Sequence, residues 1–326
     1  MSTRRRQPRS GVALLAVLWL SAALATIALS LADTVRGEAE RSATAVDGLR
    51  SSYLAEGAAR RAALYLDWAR KYPLNPAYKP PVPYFNFDFP EGQATVEIIP
   101  ETAKFNINYI GADDLVRILV NLGVDAGVAQ EIAEAIIDWR TTSKPGSTPF
   151  DAFYQTLQPP YLASHAQFQD IEELLSVKGI TPEIFYGTWQ NAPEGSTHYL
   201  MPRSGLRDCL SVYGATSRFD ANFAAPAVLA AIGVPPEGID AIVRQRNAQP
   251  FRTADDLAQF AQIAGPGFPR LRIGGNTIFT LRSTARVRLG NGQLSDMRRT
   301  VAALVKMRPG TDAPYHILRW YETLVE

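Results

Sequence analysis

Residues 12–32 read VALLAVLWLSAALATIALSLA, 21 residues without one charge. At ~1.5 Å per residue, a helix of that length spans ~30 Å, about the thickness of one hydrocarbon core. The stretch before it, MSTRRRQPRSG at 1–11, carries Arg4, Arg5, Arg6 and Arg9 and no acid. A positive flank stays in the cytoplasm, so everything after Asp33 is expected on the far side of the membrane. The helical pattern continues beyond the lipid. Val35, Ala39, Ala43, Val46, Leu49, Tyr53, Gly57, Leu64 and Trp68 recur at steps of mostly three or four, which makes one apolar stripe. Glu38, Glu40, Arg41, Asp47 and Arg50 occupy the remainder, and Tyr72-Pro73 with Asn75-Pro76 ends the run. The expectation is one helix of about sixty residues, half in lipid and half packed on a globular head. Gly37 and Gly48 permit a break.

The whole chain has 326 residues, a formal charge of +1, 46% hydrophobic residues and one cysteine. That is length for one large domain or two ordinary ones, with ample apolar content for a core. The near-zero charge argues against a simple nucleic-acid binder, which carries a basic excess. Cys209 stands alone, so an intrachain disulfide, a CxxC redox site and a Cys-rich zinc site are all excluded.

Outward from the helix, residues 73–90 are rich in proline and aromatic side chains and read as a packed linker. Gln93 to Ile99 alternates as a half-buried strand, and Lys104 to Ile107 is expected as its partner. From about 108 to 270 the pattern is mainly helical. Asp113 to Leu122 and Asp125 to Arg140 are two helices about Gly123. Asp170 to Val177, and a helix capped by Thr181 with Pro182 in its first turn, form a second pair. Ala224 to Ile232 and Glu237 to Asn247 form a third, while Thr141 to Gln169 reads as irregular. An internal repeat runs through this region. Asn106-Ile-Asn108 precedes Leu115, and Asp220-Ala-Asn222 precedes Leu229 at the same distance; each then leads through a glycine turn to a helix ending in Arg140 or Arg246. After 276 the period becomes two. Thr277 to Leu289, Arg299 to Lys306 and Tyr315 to Trp320 read as an antiparallel meander with a turn at Gly290-Asn291-Gly292.

The junction at Gly11 and Val12 admits three readings: a signal peptide cut near Ser30 and Ala32, a plain signal anchor, or a prepilin-type leader. The apolar run is longer than the usual core of a signal peptide. A basic leader ending in glycine directly before a long apolar helix resembles a type IV prepilin leader, which is cut after the glycine while the helix is kept. Four blocks extend the resemblance: GQATVEIIPETAKFNIN at 92–108, IAEAIIDWR at 132–140, IEELLSVKGITPEIF at 171–185 and FDANFAAPAVLAAI at 219–232; FTLRSTARVRL at 279–289 fits as well. In that order they resemble the type II secretion system protein K family, also called general secretion pathway protein K, the largest of the minor pseudopilins. The resemblance implies an α+β fold with a long transmembrane and amphipathic helix on a small antiparallel, pilin-like sheet. It also implies an inserted all-helical domain with helix-hairpin-helix-like repeats. The expected division is leader 1–11, transmembrane helix 12–32, scaffold 33–104, inserted domain 105–275 and closing strands 276–326. The implied role is non-enzymatic: a subunit at the tip of a short secretion pseudopilus. Its implied partners are two smaller minor pseudopilins, the pseudopilus, the prepilin peptidase and the inner membrane, with the bulk of the chain periplasmic.

After cleavage at Gly11 the fifth mature residue is Ala16, where most pilins carry Glu. That carboxylate offsets a neighbour's α-amino group, which is costly to leave unpaired in lipid. Its replacement by alanine suits a tip position, although alanine is also ordinary in a membrane helix. Relatives often follow the Asp-Trp pair with acids resembling calcium ligands. Here Asp138-Trp139 is followed by Arg140-Thr141-Thr142-Ser143-Lys144. A hard cation wants several oxygen ligands, so Asp138, Asp151 and Asp170 leave calcium open, with no metal ligand assigned and no cofactor expected.

His165, His198 and His316 have no HExxH spacing, and no GxSxG or Walker A run is present. Glu172-Glu173 and Asp255-Asp256 are adjacent and point to different helix sides. The strongest alternatives are an exported, membrane-anchored helix-hairpin-helix protein binding DNA, with Arg244 and Arg246 near the backbone, and a minor pilin of a related pilus. Against DNA, the first hairpin carries Asp125 and Glu131 where phosphate contacts need cations.

Overall fold

One unbroken helix, α1 (Ser10–Lys71), runs for 62 residues from the membrane-type segment into the head. The computed structural model describes residues 10–72, 75, 78, 83–191, 200–308 and 310–321. Arg4, Arg5, Arg6 and Arg9 and most of the proline-rich run at 73–82 lie outside them. Gly37 and Gly48 do not interrupt α1, and Arg70 and Lys71 close it with positive charge at the C-terminal end of its dipole.

Strands β1 (Tyr84–Phe89) and β2 (Gly92–Pro100) follow as a hairpin. Residues 84–89 read as linker in sequence because of the prolines before them. They form a strand because Phe85 and Phe87 alternate with Tyr84, Asn86 and Asp88, which puts both phenylalanines inward. The chain then leaves the sheet. It makes β3 (Phe105–Asn106), α2 (Ala112–Asn121), α3 (Ala126–Arg140), α4 (Pro149–Gln155), α5 (Pro182–Tyr186), β4 (Thr188–Asn191), β5 (Leu200–Arg203), α6 (Leu206–Cys209), β6 (Leu210–Ser211), β7 (Phe219–Asp220), α7 (Pro226–Ala231), α8 (Pro236–Ala248), α9 (Ala254–Ala258), α10 (Ala261–Ala264) and β8 (Leu271–Arg272). It returns through β9 (Ile278–Val287), β10 (Arg299–Met307) and β11 (Tyr315–Tyr321).

The five-stranded sheet has the order β1-β2-β9-β10-β11, all antiparallel. Its register lays Val96 opposite Ser283, Ile98 opposite Leu281 and Ala94 opposite Ala285, with Ala303 opposite Leu281 on the other side. These side chains face α1 with Val301, Val305 and Phe279 and form the scaffold core. A second core fills the insert, around Phe105, Leu115, Ile118, Ile132, Ile136, Leu174, Phe219 and Leu229.

Three sequence expectations change. Residues 105–106 do not pair with β2; β3 pairs in parallel with β6, and β2 lies between β1 and β9. The stretch expected as a helix after Asp170 is a 3-10 segment, Ile171–Ser176, and the irregular stretch 141–169 contains α4, stopped and started by its own caps. The insert is mainly helical, but it also carries the β4–β5 hairpin and two short parallel ladders, β3–β6 and β7–β8.

Candidate functional site

Along α1 two stripes lie on opposite sides. Ser51, Ala55, Ala58, Ala59, Ala62 and Ala63 are buried against the sheet. Small side chains there let the helix backbone approach the strands closely. The stripe read from the sequence is the other one. Val46, Leu49 and Tyr53 are 56%, 58% and 66% exposed, and Val35 is exposed as well. At ~100° per residue, Val35, Val46, Leu49 and Tyr53 share one line roughly opposite Ala55, Ala58 and Ala62. Val35, Val46, Leu49 and Tyr53 therefore do not hold the helix to its own head, contrary to the expectation from pattern, whereas Leu64 and Trp68 farther along the same stripe are half-buried. The membrane-type segment before them is uncovered on every side, Leu14, Leu18, Trp19, Ile27 and Leu31 included. Gly11, Val12 and Ala16 all lie within α1, and Ala16 is exposed with its neighbours.

The insert is a duplicated unit, more fully than the sequence repeat indicates. Asn106 accepts a bond from Asn108 N (2.9 Å), and Asp220 accepts the same bond from Asn222 N (3.0 Å). Asn108 brackets Phe168 by accepting from its N–H and donating to its carbonyl; Asn222 brackets Phe251 in the same way. Arg140 donates to the carbonyls of Ile107 and Ile110, and Arg246 to those of Ala221 and Ala224. Burial pulls both guanidinium groups below their ordinary value, opposed at Arg246 by Asp220. Further on, Glu173 caps Asp170 N, and Asp256 caps Thr253 N. The unit thus extends to QDIEELL and RTADDLA, a match in spacing at 169–175 and 252–258 that the sequence reading missed. The two halves meet where the Phe105 and Phe219 rings pack at a 45° tilt, 4.3 Å between centres, with Arg270 over both.

Each hairpin turns on a glycine in the left-handed region, Gly123 (φ 75°) and Gly233 (φ 96°). In a phosphate-binding hairpin the helix N-terminal amides must be free. In the first hairpin Asp125 already accepts from Gly127 N and Val128 N. In the second, Pro235 and Pro236 have no N–H to offer, and Gly238 lies against the Ile263 carbonyl, so a Cβ there would sit 2.5 Å from that oxygen. Of the two arginines read as phosphate contacts, Arg246 is spent on its own loop.

The carboxylates considered for calcium are separated by their partners. Asp138 accepts from Thr148 Oγ1, Asp170 pairs with Arg319 of β11, and Asp151 is fully buried against His165. Among the described residues no three His, Cys, Asp or Glu side chains gather as a metal cluster. His316 is exposed on β11, and His198 lies outside the described residues. Glu172 and Asp255 are exposed at helix starts, where their neighbours Glu173 and Asp256 serve as caps. Ser143, His165 and Asp151 stand in line, which invites comparison with a nucleophile, base and carboxylate. The imidazole Nδ1 faces the carbonyls of Asp138 and Thr141 as well as Ser143 Oγ, and Nε2 faces the Asp151 carboxylate. The two carbonyls only accept, so a proton on Nδ1 is what serves them. Cys209 is buried, and burial raises its thiol well above the ordinary value, away from the reactive thiolate.

Where the insert meets the sheet there is a cleft of about 730 Å³. Its charges largely answer one another: Glu101 with Lys104, Asp170 with Arg319, and Arg282 with Glu97 on the sheet. The Asp170–Arg319 pair, together with Thr102 and Asn276 bonded at 2.7 Å between the two connecting segments, ties the insert to the scaffold.

A long apolar helix on an antiparallel sheet, with a mainly helical unit inserted between strands, defines an α+β fold of the pilin-like kind. The resemblance to type II secretion system protein K is borne out: residues 103–187 match the family model described as "Type II secretion system (T2SS), protein K". The structure is also similar to a chain in the crystal structure of the GspK-GspI-GspJ complex from the enterotoxigenic Escherichia coli type 2 secretion system. The TM-score is 0.60 at 17% identity, covering 87% of this chain and 100% of that one. At that identity the likeness is one of fold. No curated protein matches the chain.

Proposed function

We propose that the chain is a minor pseudopilin at the tip of a type II secretion pseudopilus, acting by protein–protein assembly and not by catalysis. The observation that carries this reading is the pair of opposite stripes on α1. One is spent on the subunit's own sheet, and the other, continuous with the membrane segment, is left for neighbouring helices. The partners that fit are two smaller minor pseudopilins, as the GspK fold likeness occurs in a complex with GspI and GspJ. Ala16 supports the tip: a subunit without a carboxylate at that depth has nothing to offer the α-amino group of a neighbour, an obligation that a capping subunit escapes. The insert adds bulk that would obstruct a further subunit.

The chain would be held in the inner membrane with its basic leader cytoplasmic and its head periplasmic. The prepilin peptidase would cut between Gly11 and Val12. No cofactor or metal is assigned. Co-expression with the two smaller minor pseudopilins of the same system tests the assembly. The expected result is a stable complex purified from detergent containing one copy of each. Failure of the full chain to associate, with tight salt-sensitive binding of duplex DNA instead, would favour the DNA-binding reading.

A further inference from the structure

His165 is the only non-glycine described residue with positive φ, at 44°. That conformation costs a side-chain-bearing residue free energy, and the surroundings must impose it. What it achieves is a buried imidazole with acceptors on both sides. On one side Nε2 lies 3.0 Å from both Asp151 oxygens, on α4. On the other, Nδ1 lies 2.9 Å from Ser143 Oγ, 3.2 Å from the Thr141 carbonyl and 3.3 Å from that of Asp138, at the end of α3. Asp151 also accepts from Gly146 N and Thr148 N, which only an ionised carboxylate does well. Three segments therefore meet on one ring: the end of α3 with the loop after it, the start of α4, and the stretch around 165.

We infer that His165 is a protonated staple, and that its charge, not an external ligand, fixes the structure of residues 141–169 and makes that segment loosen when the proton is lost. A neutral imidazole has one donor. On deprotonation, either the carbonyl side or the carboxylate side would face a bare nitrogen in a buried site. The charged groups facing the ring are Asp151 from α4 and Asp138 from α3, both acids. Tyr154, on α4, has its hydroxyl pushed up to about 12 by burial, against the bond it accepts from Lys178 N and helped by Tyr161 and the two acids, and stays neutral. No cation competes.

The direction of titration agrees with this geometry. Burial lowers the affinity of His165 for a proton, but the bond and charge of Asp151 outweigh it and raise it above the ordinary value. Burial likewise pushes Asp151 up, and the bonds from His165 and Thr148 bring it below the ordinary range. A raised histidine contributes stability that is complete below its unfolded value and is lost as pH rises through the folded one. A depressed aspartate contributes stability that is lost as pH falls through its own folded value. The segment is therefore tightest at mildly acid pH, above the Asp151 range and below the unfolded histidine value, and loosens as pH rises through the His165 midpoint.

The test uses the full chain in detergent with labelled histidine side chains. There are three histidines in the chain, and the His165 signal is assigned by its loss in His165→Gln. His165 is expected to show the doubly protonated signature at mildly acid pH and to keep it to higher pH than an unperturbed histidine. Backbone hydrogen exchange, corrected for intrinsic rates, should show protection in 141–169 falling about tenfold or more across the same range, with the scaffold strands unchanged. In His165→Gln that segment should sit at the high-pH level throughout. Titration of His165 at or below the ordinary histidine value, or protection in 141–169 that is flat with pH in the wild-type chain, would overturn the inference whether or not the variant folds.

Discussion

Replacing Val46, Leu49 and Tyr53 together by serine should separate folding from assembly. In the isolated subunit these side chains are 56%, 58% and 66% exposed, so little of the head's stability depends on them. Exposed substitutions cost within about 0.5 kcal/mol each, and the lower helix propensity of serine falls in the same range. In an assembly the exposed portion would become buried. A fully buried residue of this size contributes about 1.5–3 kcal/mol, and rather more than half of each remains to be covered, which gives ~1 kcal/mol apiece. The three together are then worth ~3 kcal/mol, or about a hundredfold in association. The assay is detergent size exclusion and titration against the two smaller minor pseudopilins, with thermal unfolding by circular dichroism measured alongside. Ala58→Leu is the mirror-image control. On the packed side three extra carbons should overfill the helix–sheet contact and cost ~1–3 kcal/mol of stability. The reasoning is refuted if the serine variant unfolds as readily as Ala58→Leu, or if it assembles with wild-type affinity.

Two further outcomes follow from the insert. Arg140→Met and Arg246→Met should each lower stability by roughly 2–4 kcal/mol, since each leaves two loop carbonyls without a charged donor. Equal midpoints in a thermal melt would mean that the duplicated caps are dispensable. Gly238→Ala should cost about 2 kcal/mol or more, because its Cβ would lie 2.5 Å from the Ile263 carbonyl oxygen. Gly111→Ala, whose Cβ meets nothing within 4 Å, should be nearly neutral in the same melt.

The parts of the fold that were legible in sequence are those governed by strong periodicity. The α1 run, the strands at 92–100, 278–287, 299–307 and 315–321, and the helix pairs about Gly123 and Gly233 all repeat at their own period with turn residues between them. The side of α1 that packs was not legible. Pattern reading assigns the larger apolar residues to the core, whereas close approach to a sheet selected Ala55, Ala58, Ala59 and Ala62. β1 was hidden because Pro80, Pro81 and Pro83 mask the alternation of Phe85 and Phe87. The pairing of β3 with β6, and of Asp151 with His165, depends on residues brought together from distant segments, and no local spacing announces either. The repeat was legible in its asparagines and arginines, but not in its third element, where the shared features are single capping acids, Glu173 and Asp256.

The most direct test of the account is the N-terminus of the mature protein. Co-expressed with a prepilin peptidase, the chain should give an intact mass that begins at Val12, and Gly11→Val should abolish that cut. A mature chain beginning near Asp33 would lack the membrane helix altogether and would contradict the pseudopilin reading.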